Sequence, residues 1–262
     1  MKQYDDRVCS NKGEKMSCLN NNYTFERFVV GPCNEFAQAA AVSVAKAPAK
    51  NYNPLFIYGG TGLGKTHLLH AIGLMMEGSQ PDYRVMYVSA AELTTELINA
   101  MRTDRMSLFR EKYRNAGCLL VDDVHDLSGK DGTQEELFHV FNTLHDSGRQ
   151  VVIAGGKFPK DIPDLEGRLR SRFQWGLIAE VKPPDIETRT AIIKRKMQDS
   201  KTVISDEAAH YIAALVTSNI GELEGFMVQV TAFAAFAGSE LNIDLVNRAI
   251  KIFQELDMGT KR

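Results

Sequence analysis

The sequence has few cysteines, no long apolar run and almost no net charge, and each shortage restricts the class of protein. Its four cysteines include no pair with C-x-x-C spacing, which favours a reducing compartment over a disulfide framework. No apolar stretch approaches the roughly 18 residues that a membrane-spanning helix needs, and the N-terminus has no apolar targeting core. Lysine and arginine number 31 against 33 acidic residues, so any contact with nucleic acid must be local. We therefore expect a soluble, cytoplasmic protein without a membrane span.

What the sequence does contain is an alternation of short apolar strands with helices. Residues 1–22 are polar and lack apolar periodicity, which predicts a disordered leader. Beyond them, helix-length segments separate the apolar runs, as a parallel sheet requires, because parallel neighbours need long crossover connections. The five predicted strands are residues 55–58, 85–88, 118–121, 151–154 and 177–181. The sequence therefore predicts an α/β domain built on a parallel sheet.

The pattern changes after Pro183 and Pro184, where strands give way to helices. Four further helices are predicted at residues 186–198, 206–216, 222–237 and 243–253. The expected domains are a leader at 1–22, an α/β nucleotide-binding domain at 23–182, a small all-helical lid at 183–256 and a tail at 257–262. Within the α/β domain, Thr133 followed by Glu136 has capping-box spacing, which predicts that a helix begins there.

The segment GGTGLGKT at residues 59–66 has the full G-x-x-x-x-G-K-T pattern of a phosphate-binding loop. Its glycines allow the backbone to direct N–H groups at phosphate oxygens, and the helix that follows adds its positive dipole end. Lys65 is placed to reach the β- and γ-phosphates, and the Thr66 hydroxyl to bind Mg²⁺. The alternative, a glycine-rich turn with an accidental lysine, does not account for the strand before it and the helix after it. The residues predicted to bind the phosphates of ATP or ADP are Gly60, Thr61, Gly62, Leu63, Gly64, Lys65 and Thr66.

Two acids, Asp122 and Asp123, follow the apolar strand at 118–121. A carboxylate at the end of such a strand binds Mg²⁺, so Asp122 is predicted to be a metal ligand together with Thr66. Asp123 is predicted to orient or deprotonate the attacking water, a catalytic role. An apolar strand that ends in acids also begins many ordinary loops. The phosphate loop earlier in the chain favours the metal-binding interpretation.

These motifs and their surroundings resemble the DnaA family of bacterial replication initiators, whose ATPase core is of the AAA+ type. The resemblance covers residues 23–256 and includes the segments YTFERFVVG, NPLFIYGG, RLRSRF and WGL. It implies a phosphate-loop NTPase fold, with a parallel sheet flanked by helices and followed by a small helical lid. It also implies ATP-bound subunits that stack head to tail on origin DNA.

Arg172 matches the family's arginine finger, which acts in trans by reaching the γ-phosphate held by a neighbouring subunit. A guanidinium suits this role because it is always charged and grips phosphate oxygens bidentately. Arg168 and Arg172 lie four residues apart, on one helix face, and without the resemblance they would be interpreted as a solvated basic face. The finger implies self-association or association with a full-length DnaA initiator.

Residues 92–114 match the paired helices by which the family holds single-stranded DNA. The candidate contacts are Ile98, Asn99, Arg102 and Lys112, and further positive charge comes from Arg105, Arg110 and Arg114. Asp104 and Glu111 dilute that charge, so an ordinary solvated amphipathic surface stays open as the alternative.

Three glycines depart from the family's pattern. Gly156 stands where a polar side chain senses the γ-phosphate, and Gly221 where the lid carries a sensing arginine. Gly132 fills a loop position that is basic in some relatives. An arginine contact in the transition state is worth roughly 10³ to 10⁵ in rate, whereas the loop backbone and Lys65 still bind nucleotide. We therefore expect an ATP-binding protein that hydrolyses ATP slowly.

The sequence ends at Arg262, after the predicted lid, without the helix-turn-helix domain by which the family binds duplex origin DNA. We accordingly expect no specific binding of duplex DNA. Two functions stay open: an ATP-dependent module in chromosomal replication initiation, and a non-catalytic, nucleotide-gated regulator that docks on a full-length initiator. Gly156 and Gly221 favour the regulator. A helicase-loader-type ATPase is a third interpretation, which the DnaA-like match around Trp175 disfavours.

Overall fold

A computed structural model describes residues 19–200, 202–216, 220–238 and 240–259, so most of the predicted leader and the end of the predicted tail lie outside it. The strands are β1 (Leu55–Tyr58), β2 (Val85–Ser89), β3 (Cys118–Asp122), β4 (Gln150–Gly155) and β5 (Leu177–Glu180). The helices are α1 (Glu35–Lys46), α2 (Lys65–Ser79), α3 (Ala90–Arg102), α4 (Met106–Arg114), α5 (Asp131–Asp146), α6 (Gly167–Phe173), α7 (Ile186–Asp199), α8 (Asp206–Leu215), α9 (Ile220–Ala237) and α10 (Ile243–Gly259). Two short 3₁₀ turns are Val124–Leu127 and Pro159–Asp161.

The five strands form one parallel sheet in the order β2-β3-β4-β1-β5. Every residue of β3 and β4 is buried, which explains why their segments 118–121 and 151–154 are apolar without alternation. Leu55 of β1 pairs with Val152 of β4 on one side and with Leu177 of β5 on the other. Because all strands run in one direction, their carboxyl ends share an edge, and β4 lies there between β1 and β3. The predicted parallel α/β sheet is confirmed.

The chain divides into two compact units. The first comprises the described residues up to Phe28, then Asn34–Gly60 and Gly64–Lys182, and the second comprises Val29–Cys33, Thr61–Leu63 and the described residues from Pro183 onward. In the first unit, helices pack on the sheet around a core of fully buried side chains that includes Phe56, Phe141, Phe173, Leu119 and Leu120. Cys118 is fully buried in β3, and neither Cys118 nor Cys33 is in a disulfide.

The second unit is built from α7, α8, α9 and α10. The Asp185 and Ser205 side chains cap α7 and α8 by accepting the backbone N–H groups of Thr188 and Ala208. Its fully buried core includes Ile193, Ile212, Leu223, Val230 and Val246. Apart from an isolated bridge between Ile204 and Leu241, the described residues of this unit form no strand. Within the described ranges, no helix is both long and apolar enough to cross a membrane.

Helix α5 begins earlier than the capping-box spacing predicts. It starts at Asp131, and Lys130 at its N-cap makes no side-chain hydrogen bond to the helix. Thr133 therefore lies inside the first turn, while the Glu136 carboxylate accepts a 3.0 Å hydrogen bond from Arg110 Nε of α4. The capping-box prediction is wrong because an ion pair with a neighbouring helix, which the local sequence does not reveal, engages Glu136 instead.

Candidate functional site

The predicted phosphate loop leaves β1 through a turn that requires glycine. A Cβ on Gly59 would lie 2.2 Å from the Val181 carbonyl oxygen, so the backbone passes too close for any side chain. Gly62 and Gly64 have φ angles of 72° and 94°, in the left-handed region that glycine adopts at little cost. Gly64 is also the N-cap of α2 and provides no side-chain cap, so the helix N-terminus stays available to an anion.

Lys65 is the first residue of α2, and its side chain is folded back into the loop. Only 6% of the residue is exposed, and its Nζ donates a 2.8 Å hydrogen bond to the Gly60 carbonyl oxygen. Burial lowers the pKa of Lys65, while the carboxylates of Asp123 and Asp122 act in the opposite direction. The ammonium group is thus largely desolvated, and it lies near two acids at the carboxyl end of β3.

Asp122 is the most heavily engaged polar side chain at this edge of the sheet. Its Oδ2 accepts a 2.6 Å hydrogen bond from Thr66 Oγ1 and a 3.1 Å hydrogen bond from the Tyr87 hydroxyl. Its Oδ1 accepts the backbone N–H of Asp123 at 2.9 Å. The structure therefore brings together the two predicted Mg²⁺ ligands, Thr66 and Asp122, from elements that are 56 residues apart.

The two oxygen ligands from Thr66 and Asp122 are enough for Mg²⁺ in a nucleotide site, but they are too few to bind a metal ion without other ligands. Within the described residues, no group of three or more His, Cys, Asp and Glu side chains is arranged to hold a metal ion. Mg²⁺ in nucleotide sites is commonly held by one or two protein oxygens together with substrate phosphates and water. The hydroxyl and carboxylate pair formed by Thr66 and Asp122 fits that requirement.

Asp123 has an environment unlike that of its neighbour. Its φ is 52°, a left-handed conformation that few residues other than glycine adopt, although Asp tolerates it better than most. Burial raises the pKa of the Asp123 carboxyl, and the negative charge of Asp122 raises it further. The left-handed conformation turns the chain directly after β3. The side chains of Asp122 and Asp123 therefore have different neighbours.

His125 is a residue near this site that the sequence analysis missed. Its Nδ1 accepts the backbone N–H of Gly156 at 3.1 Å and lies 4.0 Å from Asp123 Oδ1. The ring thereby joins the loop after β3 to the loop after β4. A Cβ on Gly156 would lie 3.5 Å from the His125 ring, an ordinary van der Waals contact, so a Cβ is accommodated at that position. A lone histidine two residues after the second acid gave no spacing signal.

A second missed feature is an aromatic cluster against the first two turns of α2. The Tyr23 ring stacks on His67 at 4.9 Å between centroids, and the Phe28 ring meets His67 edge-on at 5.1 Å. His67 Nε2 lies 2.8 Å from the Thr24 carbonyl oxygen, and Asn20 N donates to His70 Nδ1 at 3.2 Å. The chain segment before the first helix is therefore tied to the helix that follows the loop.

Arg172 lies on α6, which packs against α5. Its guanidinium carbon lies 4.4 Å from the Trp175 ring centroid and 6.0 Å from that of Phe138. Arg168 on the same helix is paired with Glu166 at 2.6 Å and also lies 5.0 Å from the Phe138 ring. No acid lies within 4.0 Å of Arg172 among the residues that the structure describes. Arg168 and Arg172, which belong to one sequence motif, are thus in different electrostatic environments.

The candidate DNA-contact residues lie on the hairpin formed by α3 and α4. Ile98 is 43% exposed, and Asn99 and Arg102 are also exposed. Lys112 differs from them, since its Nζ lies 2.6 Å from Glu96 Oε2 and is only partly exposed. The structure therefore exposes three of the four candidates and engages the fourth in an ion pair.

The other two glycine departures are open to solvent. Gly132 lies in the first turn of α5, and a Cβ there would meet nothing within 4 Å. Gly221 is the second residue of α9 and is exposed. Gly132 is therefore not required by crowding that the structure describes, unlike Gly59.

Comparisons with known proteins identify the family. Residues 19–180, well over half of the chain, match the family described as the bacterial DnaA ATPase domain. The chain belongs to this family. The chromosomal replication initiator protein DnaA of Caldanaerobacter subterraneus subsp. tengcongensis is 49% identical over 251 residues, which are 96% of this chain and 57% of that protein. The chain thus spans little more than half the length of this curated relative.

Solved structures of DnaA proteins have the same fold. The crystal structure of domain III from the Thermotoga maritima replication initiation protein DnaA matches 90% of this chain and 98% of that chain, with a TM-score of 0.86 at 44% identity. A structure described as the replication initiator DnaA bound to AMPPCP and single-stranded DNA matches 81% of this chain and 66% of that chain, with a TM-score of 0.75 at 36% identity. The DnaA resemblance and the AAA+ fold class predicted from it are confirmed.

Proposed function

We propose that this DnaA-family chain binds ATP or ADP with Mg²⁺ and acts in the initiation of chromosomal replication or in its regulation. The observation that carries the proposal is the contact set at the sheet edge, where buried Lys65 lies in a complete phosphate loop and Thr66 is bonded to Asp122. The similarity to a chromosomal replication initiator, and to a DnaA structure bound to AMPPCP and single-stranded DNA, supports the same function.

In this proposal the phosphates lie against the backbone N–H groups of residues 60–66 and the N-terminus of α2. Lys65 exchanges the Gly60 carbonyl oxygen for a phosphate oxygen, since a desolvated ammonium gains more from an anion than from a neutral acceptor. Thr66 and Asp122 would hold Mg²⁺, and the ion would supply positive charge to the phosphates. Asp123 orients the attacking water, and its raised pKa makes it a better proton acceptor than an ordinary surface carboxylate.

Slow hydrolysis is part of the proposal. Gly156 follows β4, the strand that lies between β1 and β3, so a side chain there would be next to the phosphate loop and the acids. Glycine supplies none, and the nearest polar group, the His125 ring, is engaged with the Gly156 backbone N–H. Gly221, where the family resemblance places a sensing arginine, has no side chain either. Binding depends on the loop and on Lys65, so it is affected less than turnover.

Association with a second copy, or with a full-length DnaA initiator, uses Arg172 in this proposal. The guanidinium has no acidic partner among the described residues, so its donors are available to a phosphate on another subunit. Single-stranded DNA is the second partner, held by the exposed Ile98, Asn99 and Arg102. Lys112 contributes less than the sequence suggested, because Glu96 already neutralises it.

A second candidate function is a nucleotide-gated regulator that docks on a full-length initiator and does not itself turn over ATP. The observation that favours it is the glycine at both Gly156 and Gly221, since these replace side chains that assist hydrolysis and are not needed for binding. The two functions share the nucleotide site and Arg172. They differ in the rate of turnover at saturating ATP, for which the regulator predicts a value far below about 1 s⁻¹.

Titration of a labelled nucleotide tests the common part of both functions. Lys65→Ala should weaken binding of ATP and ADP by at least about tenfold, because one charge-assisted contact to a phosphate is lost. Lys46→Ala, which removes an exposed lysine from the last turn of α1, is the matched control and should bind like the wild type. Equal affinity for the wild type and Lys65→Ala would refute the assignment of the loop.

A further inference from the structure

Trp175 is the only tryptophan of the chain and is 60% exposed. Single exposed apolar side chains are common and by themselves indicate no function. What sets Trp175 apart is its contacts. The guanidinium carbon of Arg172 lies 4.4 Å from its ring centroid, and the His145 ring lies 5.1 Å away. The exposed indole is therefore a stacking partner for an arginine and not an isolated surface residue.

A second aromatic ring contacts the same arginine. Phe138 of α5 lies 6.0 Å from the Arg172 guanidinium carbon. Phe138 and His145 are seven residues apart on α5, hence about two turns along one helix face. The side chains of α5 and Trp175 thus form an aromatic platform, defined here as Phe138, His145 and Trp175, against which the Arg172 side chain lies.

The backbone that carries Trp175 is rigidly held. Its N–H donates to the Arg172 carbonyl oxygen at 3.2 Å. A Cβ on the next residue, Gly176, would lie 1.9 Å from the Pro54 carbonyl oxygen, and Leu177 N donates to that same oxygen at 3.0 Å. Trp175 therefore lies just before β5, where the backbone is hydrogen-bonded beside β1. The position of its Cα is fixed by these contacts.

We propose that Trp175 is the positioning residue of Arg172: stacking on the indole holds the guanidinium for a phosphate bound by a second copy of the chain. This inference rests on the proposed role of Arg172 as a finger acting in trans. Stacking uses the face of the guanidinium and leaves its N–H donors, which lie in the plane, for a bidentate phosphate contact. It also reduces the rotamer freedom that a long side chain would lose on binding.

Arg168 provides the internal contrast. It lies on the same helix and contacts Phe138 at 5.0 Å, but its Nε donates to Glu166 at 2.6 Å. An arginine held by a carboxylate has part of its donor set committed, whereas stacking commits none. Of these two arginines of α6, Arg168 is therefore ion-paired, whereas Arg172 contacts aromatic rings without an acidic partner among the described residues.

ATP-dependent association measured by sedimentation tests the proposal. Trp175→Ala should weaken association of the ATP-bound protein about two- to fivefold, the range expected for an exposed cation–π contact, without changing nucleotide affinity of the single subunit. Trp175→Phe, which keeps a ring, should lie between the wild type and Trp175→Ala. Phe36→Ala removes an aromatic side chain of similar exposure, 57%, from α1 and should have no effect.

Tryptophan fluorescence gives a readout that does not depend on assembly, because all of the tryptophan emission comes from the one indole that Arg172 contacts. Arg172→Ala should change the emission of Trp175 in the ADP-bound subunit, whereas Arg168→Ala, which removes the paired arginine, should change it much less. Unchanged emission in Arg172→Ala would contradict the stacking arrangement.

The double variant separates this inference from the role of Arg172. If Trp175 acts through Arg172, Trp175→Ala should add nothing to the loss of association caused by Arg172→Ala. Normal association of Trp175→Ala, with association impaired in Arg172→Ala, would overturn the positioning role and leave the finger intact. Normal association of Arg172→Ala would overturn the finger, and the positioning role with it.

Discussion

Two neighbouring carboxylates at the end of β3 have different surroundings, and their roles can be assigned at the scale of the single residue. Asp122 accepts three hydrogen bonds, from Thr66, Tyr87 and the Asp123 backbone, so its lone pairs face defined partners. Asp123 follows in a left-handed conformation, and burial raises the pKa of its carboxyl. These surroundings support the proposed roles, in which Asp122 is the metal ligand and Asp123 acts on a water molecule.

Replacing Asp123 should separate hydrolysis from binding. Asp123→Asn removes the proton acceptor but keeps the shape, so turnover should fall about a hundredfold or more while ATP affinity stays within a few-fold of the wild type. The pKa of Asp123 is raised, so its carboxylate is protonated at a higher pH than an ordinary aspartate. Turnover of the wild type should therefore fall on acidification before the usual carboxyl range is reached. Single-turnover assays across pH check both points, and a pH profile identical in Asp123→Asn would contradict this role.

Gly156 offers the complementary test, in which a side chain is added. The structure leaves ordinary space there, with the His125 ring 3.5 Å from a Cβ, so Gly156→Asn should fold normally. A polar group next to the phosphate loop should raise turnover about tenfold, since one well-placed donor is worth roughly 10² to 10³ in related oxyanion sites. Gly132→Asn, at an open position on α5, is the control. A steady-state ATPase assay decides; equal rates in Gly156→Asn and the wild type would indicate that Gly156 does not limit hydrolysis.

At the scale of elements, one acid of α3, Glu96, joins the two helices of the α3–α4 hairpin through side-chain hydrogen bonds. Glu96 of α3 accepts from Lys112 Nζ and from the Tyr113 hydroxyl of α4, the latter at 2.7 Å. Ile98, Asn99 and Arg102 are exposed on α3, which these hydrogen bonds join to α4. The predicted DNA contacts on α3 are exposed, whereas Lys112 on α4 forms the ion pair with Glu96 that joins the two helices.

This division predicts different effects for the two cations of the hairpin. Arg102→Ala should weaken binding of single-stranded DNA and make its dependence on salt shallower by about 0.7 in the log–log slope, the loss of one phosphate contact. Lys112→Ala should change the salt slope little and should instead lower thermal stability, because Glu96 loses one of its two partners on α4. Fluorescence anisotropy with an oligonucleotide at several salt concentrations distinguishes them. Equal slopes in Arg102→Ala and the wild type would contradict DNA contact at this surface.

Elements were predictable from the sequence where local pattern and burial agree. The continuous apolar runs of β3 and β4 reflect burial on both faces, and the glycines of the phosphate loop reflect the tight turn after β1. What could not be predicted depends on contacts between distant residues. Glu136 pairs with Arg110 and therefore does not complete a capping box with Thr133. The contacts of His125 and Trp175 depend on how neighbouring loops and helices pack.

At the scale of the whole molecule, we propose that one copy of the chain completes the nucleotide site of another. Lys65 and Arg172 then belong to opposite sides of an interface, one holding the phosphates in its own subunit and the other reaching the phosphates of a neighbour. Each variant alone should fail for a different reason. Lys65→Ala lacks nucleotide but keeps the finger, whereas Arg172→Ala keeps nucleotide but lacks the finger.

Mixing the two variants tests this claim most directly. By analytical ultracentrifugation with ATP, the wild type should form assemblies that ADP does not support, and neither variant alone should associate. An equimolar mixture should form pairs and nothing longer, because only the Arg172 of Lys65→Ala and the ATP site of Arg172→Ala can meet. A mixture that stays monomeric while the wild type assembles, or Arg172→Ala that assembles as the wild type does, would contradict the account.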